Sequence, residues 1–262
     1  MLPAPVNHKL KQTANGEQNL WWRSAAKTHV GMVRKINEDS VFGKNELGIW
    51  AVADGMGGYE AGEVASQMIV HSLGNLPSMS RLSQFVESVD NELREVNRRI
   101  QQHSMMIIEG RMLGSTVVAL IIRGQVGVCL WAGDSRLYQY RGGKLQRLSK
   151  DHSRVEELID EGILLPEEAR KHPQSNVITR AVGACADLYL DNCVFDVKPE
   201  DTFLLCSDGL YNSVRDDEIT AKLQHADPQL CAEGLIDSAL ANNANDNVSA
   251  VVVRADGKAI HA

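Results

Sequence analysis

Thr116-Val117-Val118-Ala119-Leu120-Ile121-Ile122 is followed, after the polar link Arg123-Gly124-Gln125, by Val126-Gly127-Val128-Cys129-Leu130-Trp131. Two apolar runs of strand length, rich in β-branched residues and joined by a short glycine-containing link, read as a hairpin. Working outward, further strand-length runs occupy residues 49–53, 137–140, 188–197, 202–206 and 248–253. Helical patterns lie between them. Leu82, Val86, Val89, Leu93, Val96 and Ile100 recur at intervals of three and four and put one apolar stripe along a long helix. A helix over about 61–73, with Val64, Met68 and Leu73 inward, precedes it, and another is expected over about 229–241. Two long helices in succession, then hairpin-like strands, do not alternate as β-α-β units would. The expected fold is α/β of the α+β type, a layered α-β-β-α sandwich of two mostly antiparallel sheets flanked by helix pairs.

The chain has 262 residues, 44% hydrophobic and 23% charged, which suits an ordinary globular protein. No linker divides it, so residues 21–256 are expected to form one domain, with a polar tail over 1–20 and a short tail over 257–262. Residues 151–180 are charged, interrupted by Pro166 and Pro173, and locally helical around 155–160 and 167–171; they read as a surface flap. A formal charge of −7 without a clustered basic track argues against nucleic acid as a partner. Five cysteines, odd in number and without a C-x-x-C pair, mostly lie in apolar runs and read as buried, reduced thiols. With no signal-like or membrane-spanning stretch, the expectation is a cytoplasmic monomer without membrane attachment.

Three strand-like runs end in an aspartate turn: Trp50-Ala51-Val52-Ala53 into Asp54-Gly55, Leu130-Trp131-Ala132-Gly133 into Asp134-Ser135, and Leu204-Leu205-Cys206-Ser207 into Asp208-Gly209. A fourth aspartate, Asp246, precedes Asn247 and the last apolar run. Each of these alone reads as a turn, because Gly reaches positive φ and Asp bonds its own backbone. Antiparallel neighbours can bring strand ends to one edge, and several carboxylates gathered beside an apolar core would repel and lose hydration unless a cation neutralised them. Oxygen ligands without His or Cys favour Mg²⁺ or Mn²⁺ over Zn²⁺. A pair of such ions suits hydrolysis of a phosphate ester by activated water.

The chain resembles the protein phosphatase 2C (PPM) family, in its bacterial metal-dependent serine/threonine branch, in motif order from about Lys27 to Arg254. Those motifs read Gly31-x-x-Arg34-x-x-Asn37-Glu38-Asp39, Asp54-Gly55-Met56-Gly57-Gly58, Gly114-Ser115-Thr116, Gly133-Asp134-Ser135-Arg136, Asp151-His152, Thr179-Arg180-Ala181-Val182-Gly183, Ser207-Asp208-Gly209 and Asp246-Asn247-Val248. Each is weak alone; the ordered series is specific. The resemblance implies that Asp54 bridges two metals, with Asp39 and the Gly55 carbonyl on one and Asp208 and Asp246 on the other. It further implies that Glu38 stands behind the ligands and that Arg34 binds the substrate phosphate with its planar fork. A third ion would be held by Asp134 with Asp208; Asp134 reads equally as a turn aspartate pairing with Arg136 or another local donor. Many eukaryotic relatives carry His where this chain has Met56, which cannot donate a proton. His152 is the next candidate by motif, or else a structural histidine.

Phosphorylated proteins are thus the expected substrates, and a Hanks-type serine/threonine kinase and its targets the expected counterparts. Two other readings stand beside this one: a catalytically silent phosphatase-like binding module, and another two-metal phosphoesterase. The presence of Arg34, Asp39, Asp54, Asp208 and Asp246 disfavours the first, and the missing basic track disfavours the second.

Overall fold

A computed structural model describes residues 20–57, 61–107 and 113–257. The expected tails therefore lie outside the described residues except for Leu20 and Gly257, as does Gly58. In chain order the elements are β1 (Trp21–His29), β2 (Asp39–Lys44), β3 (Ile49–Met56), α1 (Ala61–Gly74), α2 (Leu82–Ile107), β4 (Gly114–Ser115), β5 (Val117–Arg123), β6 (Val126–Ala132), β7 (Arg136–Arg141) and β8 (Lys144–Arg147). They continue with α3 (Arg154–Asp160), β9 (Asp191–Asp196), β10 (Thr202–Cys206), α4 (Asp208–Ser213), α5 (Asp216–Leu223), α6 (Pro228–Ala241) and β11 (Val248–Asp256).

One sheet runs β1-β11-β10-β7-β8 and the other β2-β3-β5-β6-β9, with β4 also pairing β3. Every pairing is antiparallel. Successive strand residues face opposite ways, and both faces of each sheet are covered. Along β3, Ile49, Ala51 and Ala53 pack with α1 and α2, while Trp50 and Val52 enter a layer shared with Phe203, Leu205, Val251 and Val253 of the other sheet. The far face of that other sheet packs on α4, α5 and α6. This is the expected α-β-β-α sandwich. Trp50 anchors its centre: fully buried, it donates from Nε1 to Asn45 Oδ1 at 3.0 Å and meets Trp22 edge-on at 6.2 Å. A side chain buried this fully contributes roughly 1.5–3 kcal/mol.

The helices begin where local chemistry allows. Asp227 Oδ1 accepts from Gln229 N at 3.0 Å, and Pro228 occupies the first turn of α6, where a missing N–H costs nothing. Ser153 caps α3 through Glu156 N. The apolar stripe of α2 is as expected, with Leu82 and Val86 packed at its margin and Phe85, fully buried, added to it. In α1 the buried row is Ala65, Ile69 and Leu73, with Met68 at its margin and Val64 only partly covered.

Strands β1, β2 and β8, and helices α4 and α5, were not expected from apolar runs. These three strands are sheet edges, and an edge strand shows a half-exposed, mixed composition. The run expected over 188–197 is shorter, Asp191–Asp196, and alternates in exposure for the same reason. The segment 151–180 carries α3 and a 3-10 turn at Ala169–Lys171, matching the expected local helices. Of the cysteines, Cys129, Cys206 and Cys231 are buried, but Cys193 is half-buried and Cys185 exposed.

Candidate metal centre

The register of β2 on β3 sets Asp39 directly opposite Asp54. Both side chains therefore leave the sheet on one face. The backbone at Asp54 is pinned from the other side: Asp54 N donates to Thr116 Oγ1 at 3.1 Å, and Thr116 N and Ser115 Oγ donate to Asp54 O at 2.8 and 3.0 Å. Thr116 Oγ1 also meets Ser135 Oγ at 2.7 Å, tying this corner to the turn that carries Asp134.

Asp39 spans the two sheets. Its Oδ2 accepts from Ser207 Oγ and Ser249 Oγ, each at 2.7 Å, from the end of β10 and from β11. Its Oδ1 is buried with no hydrogen-bond partner. A buried lone pair in that condition is free to accept from an ion or another donor. Asp208 opens α4 immediately after Ser207, and Asp246 precedes β11; the pairing of β10 with β11 brings both to the same end of the sandwich.

Electrostatics records the clustering. Burial pushes the Asp54 carboxyl well above its ordinary pKa, and Asp39, Asp208, Asp134 and Asp246 push it further. Asp208 is likewise raised, by burial first and then by Asp134, Asp246 and Asp39. Desolvation lifts Asp39 to about 6, with Asp246 adding to it. Among the described residues no three acidic, His or Cys side chains converge to ligand distance; the carboxylates adjoin without closing a cage. The donor set is all oxygen, excess negative charge is held against an apolar core, and one buried oxygen lacks a partner. These residues fit hard divalent ions.

Asp246 is engaged by Arg34, whose Nη2 donates to Asp246 Oδ2 at 2.8 Å. The Arg34 side chain is 54% exposed, at the rim of the cluster. The loop bearing it is fastened at both ends by Asn247, whose Nδ2 donates to Val30 O and Ile36 O at 2.9 Å and whose Oδ1 accepts from Glu38 N at 2.8 Å. Gly31 completes the fastening: at φ +80° it lies so close to Asp246 that a Cβ would meet the Asp246 carbonyl oxygen at 2.0 Å. Asn247 and the serine pair Ser207 and Ser249 are the residues that motif reading undervalued. Asn247 and Ser207 stand beside ligand candidates in their motifs, but Ser249 gives no signal until the strands pair.

Glu38 reaches the first turn of α1, where its Oε1 accepts from Gly62 N at 3.1 Å, and burial raises its pKa. Gly55 is squeezed beneath that contact. A Cβ there would lie 2.1 Å from Gly62 O and 2.6 Å from Glu38 O. Backbone crowding accordingly requires glycine at 55 whether or not its carbonyl faces an ion.

Asp134 is buried in the turn between β6 and β7, where the chain crosses from one sheet to the other. Desolvation, then Asp151, lifts its pKa to about 6. Of the alternative local donors, Arg136 is taken elsewhere, its Nη2 and Nε gripping Asp151 at 2.6 and 3.0 Å with the guanidinium over the Tyr211 ring at 3.5 Å, while the Tyr211 hydroxyl donates to the Asp134 carbonyl at 3.1 Å. His152 is structural. Its Nδ1 accepts from Gly133 N at 3.1 Å, its ring stacks on Trp131, and burial lowers its pKa. Its Nε2 faces Asp191 Oδ2 at 3.2 Å. Met56 is half-buried against Gly114, its partner on β4.

Residues 32–234 match the family model for protein phosphatase 2C. The chain is 37% identical over 230 residues to serine/threonine protein phosphatase PstP of Mycobacterium tuberculosis, covering 88% of this chain but 44% of that protein. It thus spans less than half the length of that relative. Among solved structures, PppA of Pseudomonas aeruginosa, described as a key regulatory component of T6SS, is 44% identical with a TM-score of 0.83, over 90% of this chain and 98% of that one. The catalytic domain of PstP, solved with two manganese ions, is 34% identical with a TM-score of 0.80, over 90% of this chain and 99% of that one.

Proposed function

The chain belongs to the protein phosphatase 2C family, and from that premise we propose that it hydrolyses phosphoserine and phosphothreonine in proteins at a dinuclear Mn²⁺ or Mg²⁺ centre. The observation that carries this reading is the Asp39–Asp54 pair, with its buried, unpartnered Asp39 oxygen and the further carboxylates of Asp208 and Asp246. Asp39, Asp54, the Gly55 carbonyl, Asp208 and Asp246 would hold the ions, with Asp54, whose carboxyl is pressed by the other aspartates, the ligand candidate shared between them. Asp134 with Asp208 is the place for a third. Bound there, the ions supply Lewis acidity toward water and a phosphate oxygen.

The protein's own groups do the remainder. Arg34, at the rim and anchored by its loop, exchanges part of its contact with Asp246 for the substrate phosphate and holds it by two N–H donors. Glu38 keeps the N-terminus of α1 beside the start of β2, where Asp39 stands. The leaving serine or threonine oxygen takes its proton from water, since Met56 has none to give and the His152 ring is stacked on Trp131 with its Nε2 facing Asp191. No cysteine is among the proposed ligands, in keeping with water as nucleophile.

We read residues 21–256 as one phosphatase domain, a monomer in the cytoplasm that reverses a Hanks-type kinase. Five unpaired thiols suit a reducing compartment, and among the described residues no helix is long and apolar enough to cross a membrane. The test is hydrolysis of a phosphothreonine peptide and of an aryl phosphate with Mn²⁺, with chelator, and by Asp208→Ala. Turnover only with metal and lost in the variant is the expected result; metal-independent turnover, none at all, or faster cleavage of phosphodiesters overturns the proposal.

A further inference from the structure

β9 forms one edge of its sheet, and its register on β6 sets Cys193 directly opposite Cys129. Val197 N donates to Gln125 O at 2.8 Å, so those two residues are a hydrogen-bonded pair. Counting by twos along the same register, so are Gly127 with Phe195 and Cys129 with Cys193. The Cα atoms of such a pair stand about 5.5 Å apart, inside the roughly 4.4–6.8 Å that a disulfide spans. Both side chains enter the layer between the sheets, Cys129 fully buried and Cys193 packed against the same cluster from the margin. Cys193 Sγ also donates to Leu148 O at 3.7 Å.

We propose that Cys129 and Cys193 are a dithiol that a hydroperoxide converts into a reversible cross-strand disulfide. Cys193, half-buried on the edge strand, is the sulfur that solvent reaches first. The Cys129 thiol hydrogen-bonds to it and lowers its pKa, whereas burial holds Cys129 well above its ordinary value and protonated. The Cys193 thiolate attacks one peroxide oxygen; the O–O bond breaks, and the departing hydroxide takes a proton to leave as water. The Cys129 sulfur then displaces hydroxide from the Cys193 sulfenic acid, and the proton it sheds makes a second water. Two thiols and one hydrogen peroxide thus become one disulfide and two waters.

Two features make the bond a switch and not a permanent staple. Cβ atoms of a hydrogen-bonded pair lie at the wide end of cross-strand spacing, beyond the roughly 3.5–4.5 Å a relaxed disulfide prefers, and such strain makes the bond easily reduced. Its position also matters. Asp191, two residues before Cys193 on β9, receives Arg180 Nη1 at 2.5 Å and faces His152 Nε2 at 3.2 Å, so both ends of segment 151–180 rest on this strand. The disulfide ties their anchor covalently to β6, the next strand inward.

The experiment uses the full chain carrying Cys185→Ser, which removes the exposed thiol. After hydrogen peroxide treatment and alkylation under denaturing conditions, peptide mass spectrometry is expected to find the Cys129 and Cys193 peptides joined and lighter by two hydrogens. Dithiothreitol should separate them, and the oxidised protein should melt higher than the reduced one. Added Cys193→Ser should abolish the joined species. Sulfenic or sulfinic acid at Cys193 without linkage to Cys129, linkage of either cysteine only to another molecule, or no reaction overturns the proposal.

Discussion

Asp39 and Asp54 oppose each other across β2 and β3, two carboxylates on one face of a strand pair, with one oxygen of Asp39 buried and unpartnered. Like charges so placed destabilise a sheet. Persistence of the pair in a buried corner makes sense where a cation neutralises it, and the predictions follow from that tension.

Asp54→Asn removes the carboxylate under the greatest electrostatic pressure. Metal-dependent hydrolysis should fall about a thousandfold, the loss of several kcal/mol of transition-state stabilisation. The metal-free protein should melt no lower than wild type, because a repelled buried charge is gone. A variant that loses activity by melting markedly lower would contradict this.

Stability without metal should depend on pH in a stated direction. Asp39 and Asp134 titrate at about 6 in the folded protein, above the roughly 4 of an unfolded aspartate. A raised folded value means stabilisation present below about 4 and lost as pH rises through about 6. In chelator the melting temperature should therefore fall between about pH 4 and 6 and level off above that. His152, kept neutral by burial, acts oppositely, so the measurement is the difference between wild type and Asp39→Asn, whose fall should be shallower. Identical slopes would refute the assignment. Added Mn²⁺ should raise the midpoint more at pH 7 than at pH 5.

Arg34→Lys keeps the charge and loses the fork. With aryl phosphate, kcat/KM should drop about tenfold or more, mainly through KM, and Arg34→Ala should drop further. Equal kinetics for the wild type and the Arg34→Lys variant would show that the planar fork is not used.

Asn247→Ala leaves Val30 O, Ile36 O and Glu38 N without their side-chain partner. A group left unpaired where water cannot reach it costs about 1–3 kcal/mol and a wetted one less, and 1 kcal/mol shifts the midpoint of a domain of this size by about 2–4 °C. Calorimetry should show a loss of several degrees. Since the same loop carries Arg34, KM should rise as well; a lowered midpoint with unchanged KM would confine Asn247 to stability.

The central strands were legible because strands covered on both faces are continuous apolar runs, as 116–122 and 126–131 are. The edge strands β1, β2 and β8 were not, since one side of each meets solvent and the run is broken. Asp39 begins one of those edges, so composition alone could never have set it opposite Asp54; only the order of motifs suggested that the two belong together.

Residue chemistry along the chain determined the layered fold, the all-oxygen donor set and the absence of a proton donor at Met56. Pairing of distant strands decided the rest: that Ser207 and Ser249 hold one oxygen of Asp39 and leave the other bare, that Arg136 serves Asp151 and not Asp134, and that Cys129 faces Cys193. The physical reason is register. A side chain's type is local, but its partner is set by which residue lies opposite, and a shift of one position along a strand would turn every one of these groups to the other face.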